Sequence, residues 1–202
     1  MTAAPNRLFF ALWPDDTTRM RVHQAASALQ EQHRPGGYLI RPQRYHITLI
    51  FLGDFVPPEQ EAAALTAASA VNGQPFALTL DRAGGFRNRK VPCWLGPERP
   101  PAALELLYRN LHSALVDARI KPERLRFVPH LTIIREAKHT LPSTAIKPID
   151  WPIHEFVLIR SVLQRQPPEY EILGRYPLDP SAAAPCAVPE QLPLLPELPQ
   201  TS

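Results

Sequence analysis

Two short segments of this chain share one chemical pattern: Tyr45-His46-Ile47-Thr48-Leu49-Ile50 and Pro129-His130-Leu131-Thr132-Ile133-Ile134. Each sets a histidine and a threonine two residues apart among apolar, largely β-branched neighbours, which reads as a strand. Side chains alternate between the faces of a strand, so His46 and Thr48 share one face while Ile47 and Leu49 sink into the other. His130 and Thr132 repeat the arrangement. With seven His and ten Thr in 202 residues, random placement gives roughly 0.3 such triplets per chain. The duplication suggests two lobes related by an approximate two-fold, each lending one strand to a shared cleft.

The remaining pattern is α+β. Residues 7–13 read as a strand, and Pro14-Asp15-Asp16-Thr17 opens a helix that ends before Pro35-Gly36-Gly37. The first motif strand, about 45–52, stops at Gly53-Asp54, and Pro57-Pro58-Glu59 opens an alanine-rich helix ending near Asn72-Gly73. Strands are expected over 76–80 and 91–95, separated by Gly84-Gly85 and a basic loop. A third helix follows Pro100-Pro101, with Leu104, Leu107, Leu111 and Leu115 on one stripe. Phe127 to Ile134, Phe156 to Leu163 and Tyr170 to Leu178 complete the strands. The connections are short enough for hairpins, which favours α+β over a doubly wound parallel sheet.

Two units follow from composition: a folded domain over 1–178 and a proline-rich extension over 179–202, where neither helix nor strand periodicity persists. The whole chain is +3, but Asp179, Glu190 and Glu197 are the only charges after Arg175, so residues 1–176 set 22 basic against 16 acidic residues, a net +6. That balance favours an anionic partner without implying a dedicated duplex-DNA binder. The apolar run Leu8 to Trp13 is far shorter than the roughly 20 residues of a membrane span, so a cytoplasmic protein with no membrane partner is expected. Cys93 and Cys186 show no metal or redox spacing and read as free thiols. His23, His33, His112, His139 and His154 show no ligand spacing, and no metal or cofactor is expected.

Histidine, with an unperturbed pKa near 6.5, allows one copy to be neutral and another protonated near pH 7. One can take a proton while the other gives one. For a phosphodiester, that pairing activates a nucleophile on one side of phosphorus and protonates the departing oxygen on the other. Threonine hydroxyls and a guanidinium would donate to the non-bridging oxygens, where negative charge builds up.

With Arg7-Leu8-Phe9-Phe10-Ala11, Phe51-Leu52-Gly53 after the first motif, Trp94-Leu95-Gly96, and Pro129 and Arg135 flanking the second, the chain resembles the two-histidine phosphoesterase superfamily. Within it, the similarity is to the bacterial and archaeal RNA 2′,3′-cyclic phosphodiesterases, historically called 2′-5′ RNA ligases, and runs to Tyr176. The resemblance implies a bilobal fold with two antiparallel β-sheets around a central cleft and helices on the outside. It implies metal-independent opening of terminal 2′,3′-cyclic phosphates of RNA or nucleosides to 2′-phosphates. His130 would be the general base and His46 the general acid, with Thr48 and Thr132 on phosphate oxygens. Arg135 matches the family's phosphate-binding arginine, yet it lies five residues past His130, so the strand must end or bulge there to bring it to the same face.

Weaker candidates are the basic loop Arg87, Arg89 and Lys90, for an upstream phosphate or base, and Tyr45 and Phe127, which either stack on a base or belong to the core. A monomer is expected. Three competing readings remain: reversible 2′-5′ joining of RNA ends by the same acid and base, a non-catalytic RNA or nucleotide-binding module, and a scaffold acting through the proline-rich tail.

Overall fold

The side chain of Asp15 starts the first helix by accepting the Thr18 backbone N–H at 2.6 Å, which satisfies one of the N–H groups left over at a helix start. Helix α1 (Asp16–His33) ends on Arg34, in the left-handed conformation, whose N–H donates to the Gln30 carbonyl. Helix α2 (Pro58–Ser69) carries proline in its first turn, where no N–H is needed. Helix α3 (Ala102–Asp117) buries the expected stripe of Leu104, Leu107, Leu111 and Leu115, each worth about 1.5–3 kcal/mol when fully withdrawn from water. These features belong to a computed structural model that describes residues 6–87, 91–122, 127–162 and 169–182.

Nine strands accompany the helices among these residues: β1 (Asn6–Leu12), β2 (Tyr38–Leu39), β3 (Ile47–Asp54), β4 (Phe76–Gly85), β5 (Cys93–Gly96), β6 (Leu131–Arg135), β7 (Thr144–Ile153), β8 (Glu155–Val162) and β9 (Glu169–Pro177). All pairings are antiparallel. Their order is β7-β4-β5-β6-β3-β1-β8-β9, with β2 added beside β6. Two separate sheets were expected, and the structure corrects this to one continuous sheet. The reason lies in the motifs themselves: β3 and β6 run side by side and join the two halves through the single pair Ile47↔Leu131.

Ile47 and Leu131 point into one core with Leu8, Phe10, Leu12, Leu78, Leu80, Leu95 and the buried faces of all three helices. The opposite face of the sheet carries only a small cluster of Phe9, Ala11, Val157 and Ile159, flanked by Trp13, Phe51, Tyr170 and Ile172. Helices therefore cover one face, and the alternation of the motifs sends both His-Thr pairs to the other.

Strand β7 is absent from the sequence reading. Pro148 and Pro152 disguise it, and an edge strand tolerates them because only one side of it is paired. Arg21 of α1 donates to the carbonyls of Pro148 and Asp150 at 3.2 and 3.3 Å, which occupies outward groups of that edge. Strand β4 continues through Gly84-Gly85, where a turn was expected, because Trp94 of β5 lies on Gly84. A Cβ there would meet the indole at 2.6 Å. Beyond Ala182 the proline-rich tail, including Cys186, lies outside the described residues.

Candidate active site

Strand β3 begins two residues after the expected start at about 45 and β6 four residues after the expected start at Phe127, so His46 and His130 stand just ahead of their strands. Each ring is turned back on its own backbone: His46 Nδ1–H donates to the Arg44 carbonyl and His130 Nδ1–H to the Val128 carbonyl, both at 2.8 Å. A carbonyl can only accept, so Nδ1 carries the proton and Nε2 is left for a ligand. Counted outward from Ile47↔Leu131, the antiparallel register sets His46 across from Thr132 and Thr48 across from His130. The two histidines are then diagonal neighbours, for which a Cβ separation of about 7–8 Å is usual.

Both motif strands bulge one residue after the threonine. Phe10 and Ala11 of β1 face Ile50 and Thr48, leaving Leu49 extra. Cys93 and Trp94 of β5 face Ile134 and Thr132, leaving Ile133 extra. Each bulge shifts the alternation by one, so the residue three past each threonine returns to its face. In β6 that residue is Arg135, which lines a pocket with Thr132, His46, Ile40, Arg44 and Tyr170. The strand ends there, and Glu136 follows with φ 55°. In β3 the matching residue is Phe51, which packs against the small apolar cluster.

Aromatic rings back both histidines. His46 lies 5.0 Å from Phe9 and meets the Tyr170 ring edge-on at 5.5 Å. His130 meets Phe86 edge-on at 4.8 Å, and Phe86 in turn packs on Trp94. Removal from water dominates the electrostatics. Burial pushes the His46 pKa down to about 4, against its hydrogen bond to the Arg44 carbonyl and with help from the charges of Arg135, Arg44 and His130. Burial also lowers His130, and its bond to the Val128 carbonyl partly restores it. That His130 and Arg135 weigh on His46 places all three within one electrostatic neighbourhood.

Of the weaker candidates, Tyr45 is corrected. Its ring is 1% exposed, and its hydroxyl reaches His23 Nδ1 at 3.2 Å, so no base can stack on it. Phe127 already has Tyr108 stacked on its ring at 4.5 Å. Arg87 is exposed at the end of the β4 hairpin arm, next to Phe86, while Arg89 and Lys90 lie outside the described residues. Arg44, Tyr170, Phe9 and Phe86 stand beside the two histidines and are not among the site residues expected from sequence. A cation two residues before His46 was the only local signal among them. Among the described residues no cluster of three His, Cys, Asp or Glu side chains is placed to hold a metal, and no helix is long and apolar enough to cross a membrane.

A family model described as the 2′-5′ RNA ligase superfamily matches residues 14–165. The chain belongs to this superfamily. Curated relatives within it include the RNA 2′,3′-cyclic phosphodiesterase of Escherichia coli K12, 31% identical over 177 residues that cover 86% of this chain and 97% of that protein. The enzyme of the same name from Thermus thermophilus is 29% identical over 189 residues, 85% of this chain and 90% of that protein. Among solved structures, E. coli LigT complexed with 3′-AMP superposes with a TM-score of 0.72 at 31% identity, covering 86% of this chain and 98% of that one. The superfamily match spans both histidines, both threonines and Arg135, and stops short of Tyr170.

Proposed function

We propose that this chain hydrolyses the 2′,3′-cyclic phosphate ends of RNA, and nucleoside 2′,3′-cyclic phosphates, to 2′-phosphates without a metal ion. The observation that carries the reading is the pair of backbone-locked imidazoles, each with Nε2 turned away from the backbone and each one residue ahead of the Ile47↔Leu131 pair that joins the two motif strands. The relatives' names supply the substrate class.

In this reading water attacks phosphorus while His130 Nε2 takes its proton. The P–O3′ bond breaks, and His46 Nε2–H protonates the departing O3′. Thr48, Thr132 and Arg135 donate to the non-bridging oxygens, whose charge grows in the transition state. The acid must start protonated, yet burial keeps His46 neutral in the free protein at pH 7. The bound phosphate resolves this: its negative charge offsets Arg135 and favours the imidazolium beside it. After one turnover His46 is neutral and His130 charged, and exchange with solvent resets both.

The same reading treats the sheet as two lobes, β9-β8-β1-β3 and β6-β5-β4-β7, related by an approximate two-fold near Ile47 and Leu131. The shared bulge after each threonine supports it. One copy of the chain suffices, since every residue invoked comes from one polypeptide. Phosphorus NMR of adenosine 2′,3′-cyclic phosphate incubated with the protein in excess chelator tests the proposal. Adenosine 2′-phosphate is expected; a 3′-phosphate, or no turnover, would contradict it.

A further inference from the structure

The pocket beside His46 holds two guanidinium groups, Arg44 as well as Arg135. Arg44 ends a one-turn 3-10 helix, Pro42–Arg44, held by the Arg44 N–H to the Arg41 carbonyl and the Tyr45 N–H to the Pro42 carbonyl. With Pro42 opening the turn two residues before it and the buried Tyr45 directly after it, its backbone has little freedom. Its guanidinium lies over Tyr170, 4.7 Å from Cζ to the ring centroid, and Nη2 donates to the Tyr170 hydroxyl at 3.1 Å. Nε is buried without a partner.

Among the described residues, five other arginines are matched to carboxylates: Arg7 with Asp54, Arg19 with Asp16, Arg82 with Glu98, Arg160 with Glu61 and Glu171, and Arg175 with Glu155. Neither Arg44 nor Arg135 forms an ion pair with a described carboxylate. Two unmatched cations in one small pocket repel each other, a cost that an anion between them reverses. The cyclic ester carries one negative charge. A phosphate monoester carries between about 1.5 and 2 near pH 7 and three terminal oxygens, enough to engage a second planar fork of donors.

We propose that Arg44 is a second phosphate-binding residue, acting with Arg135 so that the pocket prefers a dianionic phosphate monoester to a monoanionic phosphodiester. The inference rests on the phosphoesterase reading and deepens it: the 2′-phosphate product is the ligand held most tightly, and the reaction is product-inhibited. Arg44 also supplies the carbonyl that orients His46, so one residue fixes the acid and grips the phosphate it leaves behind.

Calorimetry at about pH 8, where the monoester is close to fully ionised, tests this with adenosine 2′-phosphate and inorganic phosphate as probes, beside the KM for adenosine 2′,3′-cyclic phosphate. In Arg44→Gln, binding of both probes should weaken about tenfold, the equivalent of one charge-assisted contact, while KM rises about threefold or less. Arg44→Lys, which keeps the charge, should recover most of the preference, and Tyr170→Phe, which removes only the hydroxyl clamp, should retain it. Equal changes in KM and probe affinity, no change in either, or a Tyr170→Phe loss matching Arg44→Gln would overturn the inference and leave Arg44 as a prop for Tyr170. A wild type that binds adenosine 2′-phosphate through Arg44 but turns over no cyclic ester would instead sink the phosphoesterase reading alone. Melting curves confirm that each variant is folded.

Discussion

Holding His46 neutral ties its ring to the stability of the whole chain. Its pKa is about 4 in the folded protein, and in the unfolded chain it returns to about 6.5. A depressed folded pKa contributes stability that is fully present above the unfolded value and is lost as pH falls towards the folded one. For His46 the window runs from about 6.5 down to about 4. At pH 4.5 the unfolded ring is almost wholly charged while the folded ring is mostly neutral, and the linkage relation makes the loss relative to pH 7.5 about 2–3 kcal/mol. His46→Asn retains an N–H that can donate to the Arg44 carbonyl but does not titrate. Urea unfolding of both proteins at the two pH values should show wild type losing about 2–3 kcal/mol more than the variant. Carboxylates titrate in both and cancel from the difference. Identical losses would show that the ring is not held neutral, and the argument that bound phosphate must raise its proton affinity would go with it.

Other outcomes follow from single contacts. Thr132→Val keeps the shape beside His46 but removes the hydroxyl, so kcat/KM for a cyclic nucleotide should fall about 10²-fold with the melting temperature little changed; steady-state kinetics beside a thermal melt separates the two. Gly84→Ala drives a Cβ to 2.6 Å from the Trp94 indole, which should cost about 1–3 kcal/mol in denaturant unfolding. Because Trp94 supports Phe86 and Phe86 meets His130, the same variant should also lose activity, and an unperturbed, fully active protein would contradict that chain of contacts.

Periodicity read well where one face of an element decides its fate. The leucine stripe of α3 and the Asp15 cap of α1 name their helices because each is a local property of the chain. The His-Thr alternation gave the correct face for both motifs, and the demand for a bulge before Arg135 is met by the extra Ile133 in β6. What could not be read is set by neighbours in space. Strand β7 contains two prolines and becomes a strand only because Arg21 and the edge position tolerate them. Gly84-Gly85 signals a turn until Trp94 lies across it. The single sheet in place of two depends on one residue pair between distant segments. Arg44 and Tyr170 joined the site for the same reason: 126 positions separate them, and no spacing rule links them. For Tyr45, burial decides between the two readings left open, a base-stacking surface and the core, in favour of the core.

The claim on which the rest depends is that His46 and His130 act on the same phosphorus from opposite sides. Initial rates of 2′,3′-cyclic nucleotide hydrolysis by His46→Asn and His130→Asn, each verified as folded, test it most directly. Each should fall by about 10²- to 10⁴-fold, the usual worth of one positioned proton transfer, and the double variant should fall little further because acid and base serve one displacement. A wild-type rate in either single variant would contradict it.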